Sequence, residues 1–511
     1  MRVTLLTEGT YPHAHGGVSV WVDQIVQGMP DVEFDIIAVT GSGTEGLAWE
    51  LPANVRNVTT APLWGPADDR KPPRGRSLKR FLDAYERFLH AILDPVYTTH
   101  FGTELYGFAD YARQGLLSSA LRSEPALKTL QHVWTRAYLP TAASNPTLHD
   151  ALHATDLLEH ALRPLSVEPP HDGVAHAVSG GLAALPGLIA SQQFAVPFLL
   201  TEHGIYLRER YLGYRTGPYR WPVKALLLGF YRMLAEESYS RAALVTPGNR
   251  YNRRWEERGG TPSDNIRTVY NGVDPDLFPA AGAEPATPTL SWAGRVDPIK
   301  DLETLIRAFA LVREEMPDAR LRMFGGTARG AEGYRDGCIA LAAELGLGDS
   351  VVFEGRVEDI QDAYAAGNVV MLSSISEGFP FTLIEAMSSG RATVSTDVGG
   401  VREAVGETGL VVPPREPAPM ARAALELLRD PERRARMGEQ ARLRVIEQFT
   451  LRQNIDGFRG IYTELLGERR WLPNTVVAVD PVAEPVPVPV PAIGPAQEPE
   501  VGYGWWEREA R

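Results

Sequence analysis

The strongest constraint on the fold is an alternation of short apolar segments with amphipathic helical segments, which recurs along much of the chain. The first apolar segment covers residues 3–7, and apolar residues from Val18 to Met29 then follow at the spacing of one helix face. Because strands separated by helices pair in parallel, this order predicts an α/β domain. The further strands predicted in this series cover residues 34–40, 174–178, 198–201, 243–246 and 266–270.

A second series of the same kind begins after residues 279–288, whose proline and alanine content predicts a linker. An amphipathic helix is predicted from Leu302 to Ala310, after the first strand of this series. The strands predicted here cover residues 290–293, 321–324, 351–353, 369–372, 392–395 and 410–412. The chain is therefore predicted to contain two α/β domains in tandem, at residues 1–280 and 289–449.

Three segments depart from this alternation. Residues 77–165 are predicted to be mainly helical, with Phe81 and Tyr85 on one apolar face, and we interpret them as a helical insertion in the first domain. Residues 450–468 predict a final helix that crosses back to the first domain. Residues 471–511 are rich in proline and end near Trp505-Trp506, which predicts a disordered tail, with a short docking motif as the alternative.

Charge and cysteine content argue against several classes of protein. The formal net charge of −13 is unfavourable for nucleic-acid binding. The single cysteine, Cys338, excludes an internal disulfide and a thiolate metal cluster. No charged leader precedes an apolar run, and no apolar stretch reaches the length of about 18 residues expected of a spanning helix. We therefore expect a cytoplasmic protein, whose contact with the inner face of a membrane would come through partners or a surface helix.

The strongest functional signal follows the strand predicted at residues 369–372 and opens a helix. The start of a helix offers free backbone N–H groups and a positive end, which suit a diphosphate. Glu377 precedes the helix and Glu385 lies inside it, so the two carboxylates can reach opposite ends of a bound nucleotide-sugar. The residues predicted to line a donor site here are Glu377, Gly378, Phe379, Pro380, Phe381, Thr382, Leu383 and Glu385.

Two cations, Arg295 and Lys300, lie between a predicted strand and an amphipathic helix. At the carboxyl end of a strand they can neutralise the charge that builds on a leaving diphosphate, and an arginine can bind two oxygens at once. The alternative is that both residues are ordinary solvated cations on the surface. The nearby glutamate motif argues against that alternative. Asp274-Pro-Asp276 resembles a D-x-D metal motif only superficially, and we interpret it as part of a turn.

The first domain offers its own candidates at the ends of predicted strands. Gly16 and Gly17 lie between a strand and a helix, where glycine lets the backbone approach a ligand closely. His203 follows another strand and is a candidate catalytic residue, although a lone histidine is more often structural. Glu8 and Glu202 are candidates for the acceptor side of a cleft, with a purely structural role as the alternative.

Together these motifs resemble those of the retaining GT-B glycosyltransferases of family four. The segment from Glu377 to Glu385 resembles the E-x7-E motif of that family. Residues 291–301, with Arg295 and Lys300, resemble its G-R-x4-K segment. Residues 270–278 resemble its N-G-V-D-x-x-x-F turn, and residues 395–403 resemble its glycine-rich segment after the donor site.

The resemblance implies two facing Rossmann-like domains, with the donor on the second domain and the acceptor on the first. It implies that Arg295 and Lys300 contact the donor diphosphate, and that His203 lies beside the reacting sugar. We expect Glu377 to bind the donor sugar and Glu385 the ribose. It further implies that the Gly16-Gly17 loop faces the donor phosphate and the acceptor across the cleft. No metal and no cofactor besides the nucleotide-sugar co-substrate are expected, because fixed cations and a helix end can replace a divalent ion.

Residues 6–21 and 201–210 resemble the PelF branch of that family, the transferases of Pel exopolysaccharide synthesis. This resemblance implies a UDP-linked hexose or N-acetylhexosamine donor, a growing glycan acceptor, and membrane-embedded polysaccharide export or synthase partners. Two alternatives remain. A nucleotide-sugar epimerase of the same architecture would turn over the donor without an acceptor, and a non-catalytic synthase subunit would bind the nucleotide without transfer.

Overall fold

The computed structural model describes residues 1–65, 70–136, 145–327 and 331–467. Its first sheet contains six parallel strands in the order β3-β2-β1-β4-β5-β6. They are β1 (Arg2–Glu8), β2 (Glu33–Thr40), β3 (Val55–Pro62), β4 (Val174–Ala177), β5 (Phe198–Glu202) and β6 (Leu244–Pro247). Strands are added on one side of β1 up to β3 and on the other side from β4 onward, so the switch point lies between β1 and β4. Ligands usually bind at the carboxyl edge of a sheet at such a switch point.

The first ten helices belong to this domain. Five of them, α2 to α6, fall almost wholly within the region where the sequence predicts a helical insertion. The helices are α1 (Gly17–Gly28), α2 (Gly75–Leu93), α3 (Phe101–Arg113), α4 (Leu117–Leu121), α5 (Glu124–Arg136), α6 (Leu148–Leu162), α7 (Ala184–Phe194), α8 (Tyr206–Thr216), α9 (Trp221–Arg241) and α10 (Arg250–Arg258). Buried aromatic residues such as Phe81, Phe88 and Phe108 join the insertion to the core on one side of the sheet.

The second sheet repeats the topology of the first, in the order β12-β11-β10-β7-β8-β9. Its strands are β7 (Thr289–Ala293), β8 (Arg320–Phe324), β9 (Val351–Gly355), β10 (Val369–Leu372), β11 (Ala392–Thr396) and β12 (Leu410–Val412). The helices are α11 (Leu302–Glu315), α12 (Glu332–Glu344), α13 (Gln361–Ala365), α14 (Phe381–Ser388), α15 (Val401–Val405), α16 (Pro417–Arg429), α17 (Pro431–Gln448) and α18 (Leu451–Gly467). Here the switch point lies between β7 and β10.

Two strand predictions differ from the structure. Residues 266–270 form no strand, although Arg267 and Val269 donate backbone hydrogen bonds to Val245 and Pro247 and so continue beside β6 as extended chain. Strand β3 was not predicted, because its sequence is mostly polar and only partly buried at the edge of the sheet. The proline-rich tail predicted at residues 471–511 lies outside the described residues.

The final helix, α18, packs against the first domain although it follows the second in sequence. Its buried residues Phe458 and Tyr462 enter the core formed by α1 and β1. The Phe458 ring lies 5.0 Å from that of Trp21, measured between centroids, and the Tyr462 hydroxyl lies 2.8 Å from Nδ1 of His176. This helix therefore links the two domains a second time. None of the described helices is both long enough and apolar enough to cross a membrane.

We expect Phe458→Ala to lower the free energy of unfolding by about 3 to 5 kcal/mol, because it leaves a cavity beside Trp21. Urea unfolding followed by circular dichroism measures this change. Arg452→Ala, at an exposed position on the same helix, is the control and should change the value by less than about 0.5 kcal/mol. Equal effects of the two substitutions would contradict the role given to the buried face of α18.

Candidate active site

Two loops meet at the switch point of the second sheet and set the positions of the charged groups. The loop after β10 is bound to the short 3-10 turn that precedes α11. Ser373 Oγ donates a hydrogen bond of 2.6 Å to the carbonyl oxygen of Lys300, and the Ile375 amide donates one of 2.9 Å to Ile299. These bonds fix the backbone of the two loops side by side, which brings Lys300 opposite the segment before α14.

The central contact of the site is an ion pair between Lys300 and Glu377. Lys300 Nζ lies 2.6 Å from Glu377 Oε1, and both side chains are largely buried. A charged pair removed from water interacts more strongly than one on the surface. Because Glu377 stands four residues before the start of α14, the ammonium group is held close to the positive end of a helix, in a place suited to an anionic ligand.

Glu385 lies inside α14 and is bound by a buried tyrosine on α13. The Tyr364 hydroxyl donates a hydrogen bond of 2.5 Å to Glu385 Oε2. Burial raises the pKa of Glu385 to about 7, and the bond from Tyr364 lowers the pKa only in part. Glu385 is therefore a carboxyl group whose charge changes near neutral pH.

The two domains touch where the β10–α14 loop meets the β5–α8 loop. A Cβ atom added to Gly378 would lie 1.8 Å from the carbonyl oxygen of His203, so only glycine allows this approach of two backbones. The β10–α14 loop is also fixed from within the second domain. The Gly400 amide donates a hydrogen bond of 2.8 Å to the carbonyl oxygen of Gly378. Gly378, the residue after Glu377, thus brings the backbone of His203 in the first domain next to the β10–α14 loop.

The His203 side chain is uncharged, and one of its ring nitrogens has no hydrogen-bond partner among the described residues. Its ring lies edge-on to that of Trp21, with 4.7 Å between centroids. Nε2 is buried and has no hydrogen-bond partner among the described residues. Burial lowers the pKa of His203 to about 4, so the imidazole carries no charge at neutral pH. A buried polar atom without a partner is costly, and a ligand group at the domain boundary would satisfy it.

The other residues predicted to line the donor site have mostly structural roles. The Phe379 ring packs between those of Tyr270 and Phe449, 5.1 Å from each, and the side chain of Leu383 belongs to the same core. Pro380 is the residue that precedes α14, and Thr382 lies in its first turn, partly exposed.

The glycine loop of the first domain faces the start of α14. A Cβ at Gly17 would lie 3.8 Å from the Phe381 ring, whereas one at Gly16 would meet no atom within 4 Å. The open space at Gly16 leaves room for a ligand between the domains.

Arg295 does not join the Lys300–Glu377 pair. Its side chain is exposed and lies 3.4 Å from Asp297 on its own loop. The segment of Asp274 is a turn, as interpreted from the sequence, because the Asp276 amide donates a hydrogen bond of 3.0 Å to Asp274 Oδ1.

Glu8 and Glu202 were expected to face the acceptor. In the structure their carboxylates are bonded within the first domain. Both oxygens of Glu8 accept hydrogen bonds: one from the Tyr206 hydroxyl and Arg210, the other from the Leu182 amide. Glu202 is fully buried and accepts a bond from the Gly180 amide. The two carboxylates therefore tie loops of the first domain together, although Oε2 of Glu202 is buried without a hydrogen-bond partner among the described residues.

Two further glutamates, one of them at the domain boundary, were not predicted as site residues. Glu403 of the second domain accepts bonds of 2.8 Å from the amides of Arg250 and Tyr251, and so caps α10 of the first domain across the boundary. Glu256 on α10 is fully buried, and burial raises its pKa to about 8. Its neighbour Glu202 has a pKa raised first by burial and then by Glu256. No local motif marks Glu256, since its burial arises only in the folded domain.

Comparison with protein families divides the chain in two. Residues 1–264, more than half of the 511, match the family described as Domain of unknown function (DUF3492). Residues 287–430 match the family Glycosyl transferases group 1. The boundary between the two matches falls close to the predicted linker.

Curated relatives resemble part of the chain. It is 32% identical over 225 residues to D-inositol 3-phosphate glycosyltransferase of Streptomyces scabiei, which covers 40% of this chain and 50% of that protein. It is 29% identical over 216 residues to N-acetyl-alpha-D-glucosaminyl L-malate synthase of Bacillus anthracis, covering 40% and 55% respectively. The chain thus spans about half the length of the curated relatives it matches.

Solved structures match over both domains. Anabaena HepE in complex with UDP and glucose superposes with a TM-score of 0.58 at 16% identity, covering 90% of this chain and 99% of that one. Sucrose-phosphate synthase from Thermosynechococcus elongatus gives a TM-score of 0.59 at 19% identity, covering 91% and 99%. The predicted GT-B architecture is therefore confirmed. The chain belongs to the family described as Domain of unknown function (DUF3492), and its second domain is similar to the glycosyl transferases of group 1.

Proposed function

We propose that this protein is a retaining glycosyltransferase that moves a hexose or N-acetylhexosamine from a UDP-sugar to a growing glycan in exopolysaccharide synthesis. The observation that carries the proposal is the Lys300–Glu377 ion pair before the amino end of α14, next to the backbone of His203. A cation, a helix end and two carboxylates in one cleft suit a molecule that is a diphosphate at its centre and a sugar at each end.

In this proposal Lys300 and the first-turn amides of α14 bind the diphosphate, as Arg295 would after a rotation of its exposed side chain. Glu377 accepts hydrogen bonds from the transferred sugar, and Glu385 accepts them from the ribose. The Nε2 atom of His203 provides a neutral partner for a hydroxyl or carbonyl of the sugar. In this proposal the anomeric carbon lies between the domains, and the acceptor enters from the first domain.

The transfer step needs only groups that this arrangement supplies. An acceptor hydroxyl oxygen bonds to the anomeric carbon as the bond from that carbon to the diphosphate oxygen breaks. The departing diphosphate takes the hydroxyl proton on the same face of the sugar, which retains its configuration. Lys300 and the helix end stabilise the charge that develops on the diphosphate, in the role that a divalent ion would otherwise have. No metal or further cofactor is part of the proposal.

The comparisons support this function at different levels. The named relatives include glycosyltransferases, and HepE, with the same fold, was solved with UDP and glucose. The resemblance of residues 6–21 and 201–210 to PelF supports an exopolysaccharide acceptor and membrane-embedded synthase or export partners. An epimerase or a non-catalytic subunit would require the same nucleotide site, and the following test separates them.

We expect Glu377→Gln to lower kcat/KM for transfer by about a hundredfold, because the ion pair and the sugar contact are both lost. The assay follows release of UDP from UDP-glucose and UDP-N-acetylglucosamine with and without added oligosaccharide. Glu407→Gln, an exposed carboxylate of the same domain, is the control and should keep wild-type activity.

Unchanged transfer by the Glu377→Gln protein would refute the role given to this residue. Interconversion of the sugar without release of UDP would instead identify an epimerase. Nucleotide binding without either reaction, even with partners present, would identify a non-catalytic subunit.

The raised pKa of Glu385 predicts a pH dependence of nucleotide binding. Below the pKa of about 7 the carboxyl is protonated and is a weaker acceptor for ribose hydroxyls, and above it the charged form accumulates. The affinity for UDP should therefore increase by about tenfold from about pH 6 to about pH 8 and then level off.

Titration calorimetry across this range measures the effect. Glu385→Gln keeps the shape of the side chain but cannot ionise, so its profile reports only the titration of the nucleotide itself. A wild-type profile that coincides with that of the glutamine variant would show that Glu385 does not contact the ribose in its charged form.

A further inference from the structure

A cavity of about 450 Å³ lies in the first domain, apart from the candidate active site. Its walls come from the segment after β2, the carboxyl end of β3, the segment that joins α3 to α4, and the end of α6 with the 3-10 turn that follows. We call it the β3–α6 cavity. Its volume is within the range of about 300 to 1,000 Å³ that is typical of sites for small molecules.

One wall of the cavity holds a buried ion pair. Arg163 donates from Nε to Glu159 Oε1 over 2.9 Å, from Nη2 to Oε2 over 3.0 Å, and from Nη1 to the carbonyl oxygen of Gly65 over 2.9 Å. The Glu159 side chain is only 1% exposed. Because both of its oxygens already bind Arg163, Glu159 is poorly placed to hold a metal ion with its neighbours Asp156 and His160.

The ion pair gives the cavity hydrogen-bond donors without a net charge. Glu159 and Arg163 are the only charged residues among the described residues that line it, and each neutralises the other. Each terminal nitrogen of Arg163 also has a second N–H group, which can donate to a ligand hydroxyl. A phosphate or carboxylate ligand would have to compete with Glu159 for the same guanidinium group, so the wall favours an uncharged ligand.

The rest of the lining combines hydroxyl groups with small apolar surfaces. The hydroxyl side chains are those of Ser42, Thr60, Ser118 and Ser166, and most of the other lining residues are apolar, such as Leu117. The Ser118 hydroxyl oxygen is buried and has no hydrogen-bond partner among the described residues. Hydroxyls both donate and accept, and a sugar presents hydroxyls at its edges and C–H groups on its faces. This lining therefore matches an uncharged sugar.

The cavity lies along the same edge of the sheet as the cleft. Glu8, the last residue of β1, is paired with Val39 in β2, and Val39 is paired with Ala61 in β3, which lines the cavity. Neighbouring strands lie about 4.8 Å apart, so the cavity begins about 10 Å from the end of β1. The glycine loop that follows β1 faces the start of α14. A chain of several sugars that extends from the cleft along this edge would therefore reach the cavity, whereas a monosaccharide would not occupy both places.

We propose that the β3–α6 cavity binds an uncharged sugar residue of the acceptor glycan, at a distance from the end that receives the new sugar. The identity of the chain that enters rests on the proposed transferase function, whereas the binding itself requires no donor. Arg163 and the lining hydroxyls contact the hydroxyls of the sugar, and the apolar residues contact its C–H face. A second point of attachment raises the effective concentration of the reacting end in the cleft, so long acceptors bind more tightly than short ones.

Ser166→Trp tests the cavity without disturbing the core. Ser166 is an exposed lining residue whose Oγ donates a hydrogen bond to the carbonyl oxygen of Arg163, three residues earlier, and a tryptophan there would fill part of the cavity. Ser240→Trp is the matched control, because Ser240 is exposed in the same domain, donates the same kind of bond to Glu237, and does not line the cavity. Both proteins should keep the thermal unfolding midpoint of the wild type.

Binding is measured without a donor, by ligand-observed NMR titration of the full chain. The probes are cellotetraose, maltotetraose and chitotetraose, with glucose, N-acetylglucosamine and the anionic tetragalacturonate for comparison. We expect at least one of the uncharged tetrasaccharides to bind, and to bind more tightly than the monosaccharides and tetragalacturonate. Ser166→Trp should weaken that binding by at least about tenfold, and Ser240→Trp should bind as the wild type does.

A transfer assay tests whether the bound chain is the acceptor. With UDP-glucose or UDP-N-acetylglucosamine as donor, Ser166→Trp should raise KM for the tetrasaccharide that binds by about tenfold and leave kcat unchanged, because the reacting groups are untouched. Transfer to the corresponding monosaccharide should be the same in all three proteins. Absence of transfer by the wild type to every acceptor would contradict the proposed function, and the NMR titration would still decide whether the cavity binds sugar.

Several results would overturn the proposal. Failure of all three uncharged tetrasaccharides to bind refutes it, as does equal binding by the Ser166→Trp and Ser240→Trp proteins. Monosaccharides that bind as tightly as the tetrasaccharides would identify a site for a free sugar and contradict recognition of a chain. Tighter binding of tetragalacturonate would contradict the preference for an uncharged ligand. Weakened binding by Ser166→Trp with an unchanged KM would show that the bound sugar is not part of the acceptor.

Discussion

The site depends on the contact between Gly378 and the backbone of His203. Each residue belongs to a loop at the carboxyl edge of a different sheet, and the absence of a side chain at one of them lets the loops touch. A Cβ at that point would overlap a carbonyl oxygen, so any other residue would push the domains apart. Backbone geometry therefore sets how close the β10–α14 loop lies to the first domain.

Other contacts stabilise the same arrangement from a distance. Glu403 caps α10 across the boundary, and α18 returns to fill the core beside Trp21. These contacts differ in physical character, since one is a charged group at a helix end and the other is apolar burial. Together they hold the cleft between two sheets that share no strand.

Charge is distributed unevenly in the cleft. Burial keeps His203 neutral and brings the pKa of Glu385 to about 7, while Lys300 and Glu377 remain paired. In the proposed function an anionic donor meets Lys300 and the amino end of α14, beside a neutral imidazole and a Glu385 carboxyl that is only partly charged at neutral pH. Glu8 and Glu202 of the first domain were predicted to face the acceptor. Their carboxylates instead accept hydrogen bonds from other loops of the first domain.

The sequence by itself determined the two α/β domains and the position of the segment from Glu377 to Glu385 after β10 and at the start of α14. Those features follow from local periodicity and from motifs in which the relevant residues are neighbours along the chain. Edge strand β3, the burial of Glu202 and Glu256, the Tyr364–Glu385 bond and the exposure of Arg295 were decided only by the tertiary structure. Each of these depends on which distant segment covers a side chain, and no local pattern specifies that.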